Sequence, residues 1–171
     1  MALDRLAERL GARLKKVRFL NVSAAEANHE GIPLILIAPA TFMNLSGPPI
    51  AGFAKKRGVM VDRVIALHDE IDLPFASLRV KRGGSTAGHH GLDSLVQAFR
   101  SPDFYRIRMG VGRPPGRQDP VDFVLHEFAP RERDDVDEMV ERAADAALSL
   151  VVDGLAVTQD RYNRGAARPE S

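Results

Sequence analysis

The sequence predicts a single α/β domain in three layers, a mixed, largely parallel twisted sheet with helices on both faces. Three observations carry that expectation. Short apolar runs of strand length alternate along the chain with segments of helical period. The run Val64-Ile65-Ala66-Leu67 stops abruptly at His68-Asp69-Glu70, as a buried strand does where its carboxyl end meets a ligand-binding edge. A basic, alternating strand from Leu78 to Lys81 then leads through the glycine-rich stretch Gly83 to Gly91 into a helix carrying Leu92, Leu95, Val96 and Phe99. Glycines let backbone N–H groups approach a ligand, and the helix start favours an anion.

With 171 residues, 44% of them apolar and 27% charged, the chain suits one compact core. The domain is expected over residues 1–164, with residues 165–171 a flexible tail. The absence of cysteine excludes disulfides and thiolate metal sites and fits a reducing compartment. No apolar run approaches the ~20 residues of a membrane span, and the first residues do not read as a signal peptide, so a cytoplasmic protein without membrane association is expected. The net charge of +1 hides an asymmetry. Residues Ala76 to Gln118 carry eight Lys or Arg against two Asp or Glu; Asp119 to Asp160 carry three against twelve. A polyanion would meet the first region and avoid the second, although ordinary solubilising surface also explains such runs.

In chain order, Ala2 to Gly11 has Leu3, Leu6, Ala7 and Leu10 on one helical face and a glycine to end it. Phe19 to Ala27 and Leu34 to Ala38 are strands, the second a continuous apolar run expected at the centre of the sheet, and Glu30-Gly31-Ile32-Pro33 joins them as a tight hairpin turn. Ser46 is placed to cap a helix with Pro48 and Pro49 in its first turn, Ile50, Phe53 and Ala54 on its buried face, and Gly58 at its end. Asn44 therefore sits between a strand end and a helix start, where an asparagine commonly bonds local backbone. Tyr105 to Val111 reads as a strand with Arg106 and Arg108 on one face, followed by the basic loop Gly112 to Arg117 and the short apolar run Val121 to Leu125. A long helix from Pro130 carries Val136, Met139, Val140, Ala143, Ala144, Ala147, Leu148 and Val151 as far as Gly154, and Leu155 to Arg164 forms a short last helix.

Two chemistries suit these residues. His68, Asp69, Asp72, His89 and His90 offer nitrogen and oxygen ligands for a divalent metal, but without an i,i+4 histidine pair. Alternatively, Asp69 orients a histidine acting as general base on water, with Asn44 and backbone N–H groups binding the developing negative charge. His68 is adjacent to Asp69 and points to the other face of a strand, which suits a scaffold histidine.

Four ordered segments, Thr41-Phe42-Met43-Asn44-Leu45-Ser46-Gly47, His68-Asp69-Glu70-Ile71-Asp72-Leu73-Pro74, Gly83-Gly84 through Gly88-His89 to Gly91-Leu92, and Phe104-Tyr105-Arg106-Ile107-Arg108-Met109-Gly110-Val111-Gly112-Arg113-Pro114, resemble the bacterial peptidyl-tRNA hydrolases. The resemblance extends from about Leu3 to Arg164 and is strongest to the actinobacterial branch. It implies hydrolysis of the ester joining a peptide to the 3′ ribose of tRNA, by a cytoplasmic monomer needing no metal, cofactor or obligate protein partner. By position in the motifs, Asn44 would place substrate and the attacking water, and Asp69 would orient the catalytic histidine. Met43 would line the peptide groove. His89 and His90 fall among the substrate-binding positions, His90 where the family usually has an asparagine. Arg79, Lys81 and Arg108 would meet tRNA phosphates.

The resemblance also implies a first strand, a Gly-Asn-Pro-Gly turn and a Thr-Arg-His-Asn stretch bearing the general base, whereas this sequence opens at Met1 in the helix that follows. The expectation is of a written sequence lacking about 20 to 25 residues, the length of a strand, turn and loop, with impaired hydrolysis as a result. A non-catalytic RNA-binding relative that kept the scaffold, and a form using His90 as replacement base, are the alternatives.

Overall fold

The structure is a computed structural model that describes residues 1–114, 116, 123 and 127–163. Its contacts group into two compact units. One comprises Leu3–Ile65 and Arg82–Tyr105; the other comprises Met1–Ala2, Ala66–Lys81 and the described residues from Arg106 onward.

The first unit opens with α1 (Ala2–Arg9), whose apolar stripe buries Leu6 and Ala7 and which ends just before Gly11, at φ +62°. Three antiparallel strands follow in spatial order: β1 (Lys15–Lys16), β2 (Val22–His29) and β3 (Ile32–Pro39). The strand expected from Phe19 begins three residues later. Phe19 adopts φ +62° in the turn between β1 and β2 and leaves its ring 91% exposed, so the backbone there cannot continue a strand. The hairpin turn is confirmed and tighter than expected. Glu30 and Gly31 both take positive φ, as a two-residue turn of the primed kind requires, and Asn28 Oδ1 accepts from Gly31 N at 2.9 Å.

The apolar run of β3 was expected at a sheet centre, yet among the described residues β3 pairs with β2 alone and buries only Leu36. Ser46 does not cap α2 (Gly47–Lys56). Its backbone is already helical, and its Oγ donates to Met43 O at 2.8 Å within the preceding 3-10 turn Met43–Leu45. The helix is instead tied to α3 (His90–Phe99): Gly47 N donates to Ser94 Oγ at 2.8 Å. A Cβ on Gly47 would lie 1.9 Å from Ser94 O, so the close approach of these two helices demands glycine.

The second sheet has the order β4 (Ile65–Glu70), β6 (Tyr105–Gly110), β5 (Leu78–Arg82). Val111 N donates to Glu70 O at 3.1 Å and Tyr105 N to Val64 O at 2.9 Å, which makes β4 and β6 parallel. Gly110 N to Ser77 O at 2.8 Å and Gly83 N to Phe104 O at 3.0 Å make β5 antiparallel to β6. The α/β class and mixed strand directions are thus as expected, with two sheets and five α-helices among the described residues, but of the described pairings only β4–β6 is parallel, so a single largely parallel sheet is not what these residues form. The strands divide between two three-stranded sheets because the β2–β3 hairpin closes locally, with no crossover helix between them.

Leu78, Val80 and Ile107 form the buried side of the second sheet. After a 3-10 turn at Pro130–Glu132, α4 (Arg133–Val152) buries Val136, Met139, Val140, Ala143, Ala144, Ala147 and Leu148, matching the expected stripe. Gly154, at φ +82°, turns the chain into α5 (Leu155–Asn163), and Ser149 and Thr158 hydroxyls meet at 2.9 Å across that corner. Apart from Gly116 and Phe123, the end of the expected basic loop and the run Val121 to Leu125 lie outside the described residues, as does the tail.

Candidate functional site

The 3-10 turn Met43–Leu45 packs against α3, and this brings Met43, Asn44, His89 and His90 into one region of the first unit. Met43, Asn44 and His90 are exposed. His89 is different. It is the N-cap of α3, and its Nδ1 accepts from Leu92 N at 3.2 Å, so the imidazole does the work usually done there by Ser or Asp. Gly91 follows from that crowding: a Cβ there would fall 2.9 Å from Met43 Cγ and 3.1 Å from His89 Cε1.

Asp69 belongs to the other unit, half-buried near the carboxyl end of β4. Its neighbour His68 is buried, and Nδ1 donates to Asp69 O at 2.7 Å, which fixes the tautomer and supports the scaffold role expected of this ring. Strand alternation puts Glu70 on the same face as His68, and it too is buried. Among the described residues no three His, Cys, Asp or Glu side chains converge as a metal site would need.

The same unit gathers the cations. Arg79 and Lys81 are half-buried on one face of β5, with Leu78 and Val80 buried on the other. Arg79 Nη1 donates to Leu78 O at 3.0 Å. Arg108 Nε donates to Glu70 Oε2 at 3.1 Å. Burial, then the charges of Arg108 and Arg106, lower the pKa of Lys81, and Glu70 raises it in part. Arg106 was expected on the same face as Arg108, and it is fully buried there; burial followed by Arg108 pulls its guanidinium below the ordinary value. Glu70 thus pairs with Arg108 and acts on Lys81, while Arg106 adds a further cation beside Arg108, a local excess of positive charge that favours an arriving anion. Sequence reasoning quoted Glu70 and Arg106 without a role; the period of two along β4 and β6 was the available signal.

Further along, Asp72 Oδ1 accepts from Arg113 Nε at 2.9 Å and Nη2 at 2.6 Å, and Asp72 N donates to Glu70 Oε1 at 3.2 Å. A Cβ on Gly110 would sit 2.0 Å from Pro74 O, so the turn at Leu73-Pro74 lies directly against β6.

The family model described as peptidyl-tRNA hydrolase matches residues 1–170. A peptidyl-tRNA hydrolase of Frankia casuarinae is 46% identical over 163 residues, covering 95% of this chain and 82% of the relative. One of Nocardia farcinica is 44% identical over 163 residues, covering 95% and 84%. The crystal structure of peptidyl-tRNA hydrolase from Acinetobacter baumannii has a TM-score of 0.87 to this chain at 28% identity, covering 95% of this chain and 82% of that one.

Proposed function

This chain belongs to the peptidyl-tRNA hydrolase family, and from that premise we propose that it hydrolyses the ester between a peptide and the 3′ ribose of tRNA, as a cytoplasmic monomer in one domain over residues 1–164. In the reaction the family resemblance implies, water gives a proton to a general-base histidine that Asp69 would orient and that none of the motifs in this sequence supplies, and the resulting hydroxide adds to the ester carbonyl. The Asn44 amide and backbone N–H groups bind the tetrahedral oxyanion. Collapse expels the ribose 3′-oxygen, which takes back the proton. The reaction needs no metal or cofactor.

Met43 and the exposed His90 contact the peptidyl end, and His89 keeps the start of α3 in place beside them through its bond to Leu92 N. Arg79, Lys81 and Arg108 meet tRNA phosphates, where the local excess of cations over Glu70 supplies affinity without reading sequence. The family match over residues 1–170 carries this reading.

The test is release of free tRNA from an N-acyl-aminoacyl-tRNA by the protein as its gene encodes it, with and without a chelator. Asn44→Ala and Asp69→Ala should each lower kcat by about 10²-fold or more while tRNA binding holds. Undiminished tRNA binding by a wild-type protein that releases nothing would favour the non-catalytic RNA-binding relative.

A further inference from the structure

We propose that Asn163 and Gln159 are positioning residues for tRNA binding, holding the backbone of β5 at Val80 so that Arg79 and Lys81 present their charges in a fixed register. The inference rests on the reading of those two cations as phosphate contacts. β5 is an outer strand of its sheet. Its bonds to β6 use Ser77 O and Gly83 N, so in a strand the N–H and C=O of Val80 face the other way, toward the open edge.

Asn163, in the last turn of α5, closes that edge. Its Oδ1 accepts from Val80 N at 2.7 Å and its Nδ2 donates to Val80 O at 3.0 Å. The pair of bonds reproduces what a neighbouring strand would make with Val80. Gln159, four residues earlier and so on the same helical face, donates Nε2 to the same carbonyl at 3.0 Å. Only a primary amide offers donor and acceptor together in one plane: a carboxylate would lack the donor, an ammonium the acceptor.

The placement matters because Val80 lies between the two cations. Its side chain is 1% exposed, which anchors one face of the strand. Arg79 and Lys81 alternate to the other face. A strand whose edge is pinned at Val80 gains register there, and a slip of one residue would swap the two faces and withdraw both charges. The amide therefore acts through the cations, at a distance from phosphate.

The experiment compares the wild-type full chain with Asn163→Ala, Gln159→Ala, Lys81→Ala and the double variant Asn163→Ala/Lys81→Ala, measuring Kd for tRNA across a salt series together with KM and kcat. Asn163→Ala should raise Kd and KM about 5- to 10-fold and flatten the salt slope, with kcat within about twofold. In the Lys81→Ala background the same change should raise Kd clearly less than it does in the wild type, because only Arg79 is left to position. Gln159→Ala, which leaves the Asn163 pair in place, should shift Kd in the same direction by less, and carries the test if Asn163→Ala does not fold. Multiplying effects in the double variant, or an unchanged Kd and slope in both single amide variants, would overturn the positioning role. If Lys81→Ala itself leaves Kd unchanged, the phosphate reading fails first.

Discussion

Glu70 Oε2 accepts from Arg108 Nε at 3.1 Å, and Glu70, 7% exposed, is the carboxylate that acts on both Arg108 and Lys81. One side chain therefore pairs with Arg108, raises Lys81 and also restrains the approach of an outside anion to Arg108. Glu70→Gln should act in opposite directions on two measurements. Breaking a buried pair costs about 3 to 5 kcal/mol, and because the Arg108 side chain keeps 22% exposure, about 2 to 3 kcal/mol is expected here by denaturant titration. Affinity for tRNA at moderate salt should rise, since the local charge becomes more positive.

The two glycines flanking α3 contacts separate stability from substrate contact. At Gly47 the added methyl of Gly47→Ala would meet Ser94 backbone oxygen, which cannot move without shifting α3. The ~1 kcal/mol that alanine gains in a helix does not offset that clash, so a loss of about 3 kcal/mol or more, or failure to fold, is expected. At Gly91 the nearest obstacle is Met43 Cγ, the middle of a flexible side chain, which can rotate away, and the His89 ring at 3.1 Å must give by only a few tenths of an ångström. Gly91→Ala should lower the thermal midpoint slightly, far less than Gly47→Ala does, and raise KM for peptidyl-tRNA. Equal midpoints for both variants would contradict the contrast.

Much of this was legible in the sequence where a local period decides the outcome. The stripes of α1, α3 and α4, the Glu30-Gly31 hairpin and the alternation of β5 follow from residues within one or two turns of each other. What was missed depended on partners distant in sequence. Ser46 could have capped α2, but the chain used the Gly47 to Ser94 contact, 47 residues away. Arg106 alternates with apolar neighbours like an exposed cation, yet it is buried. The run in β3 reads the same whether one or two strands flank it, so hydrophobicity alone could not set its place in the sheet. Met43, Asn44, His89 and His90 lie together at the 3-10 turn and the start of α3, a stretch the sequence had drawn attention to, whereas the amides of Asn163 and Gln159 gave no signal, being 83 and 79 residues from Val80.

Arg79, Lys81 and Arg108 should each lose roughly one counterion from the salt dependence of tRNA binding when replaced by alanine, with similar losses across tRNAs of different sequence. The sizes should differ. Arg108 is already bonded to Glu70, so Arg108→Ala also leaves a buried carboxylate without its guanidinium and should cost stability as well as affinity. Arg79→Ala removes only a bond to Leu78 O and should spare the thermal midpoint. A salt slope unchanged in any of the three would remove that residue from the interface.

Lys81 sets the alkaline limit of binding. Burial first, then Arg108 and Arg106, lower its pKa, so the free protein loses this charge at a lower pH than the ~10.4 of an ordinary lysine. Phosphate attracts only the protonated form, and affinity should therefore fall as pH rises through the lowered value. Folding stability moves the other way over the same window. Between the folded pKa and the ordinary one, the unfolded chain binds the proton better, so raising pH relieves the crowding of like charges and stabilises the fold. Lys81→Arg should keep tRNA affinity flat through this range, because a guanidinium stays charged. Glu70→Gln should shift the fall in affinity to lower pH, since Glu70 is the group that raises the lysine. Titrations of tRNA affinity against pH for wild type and these two variants check all three statements, and a wild-type profile as flat as that of Lys81→Arg would remove Lys81 from the phosphate contact.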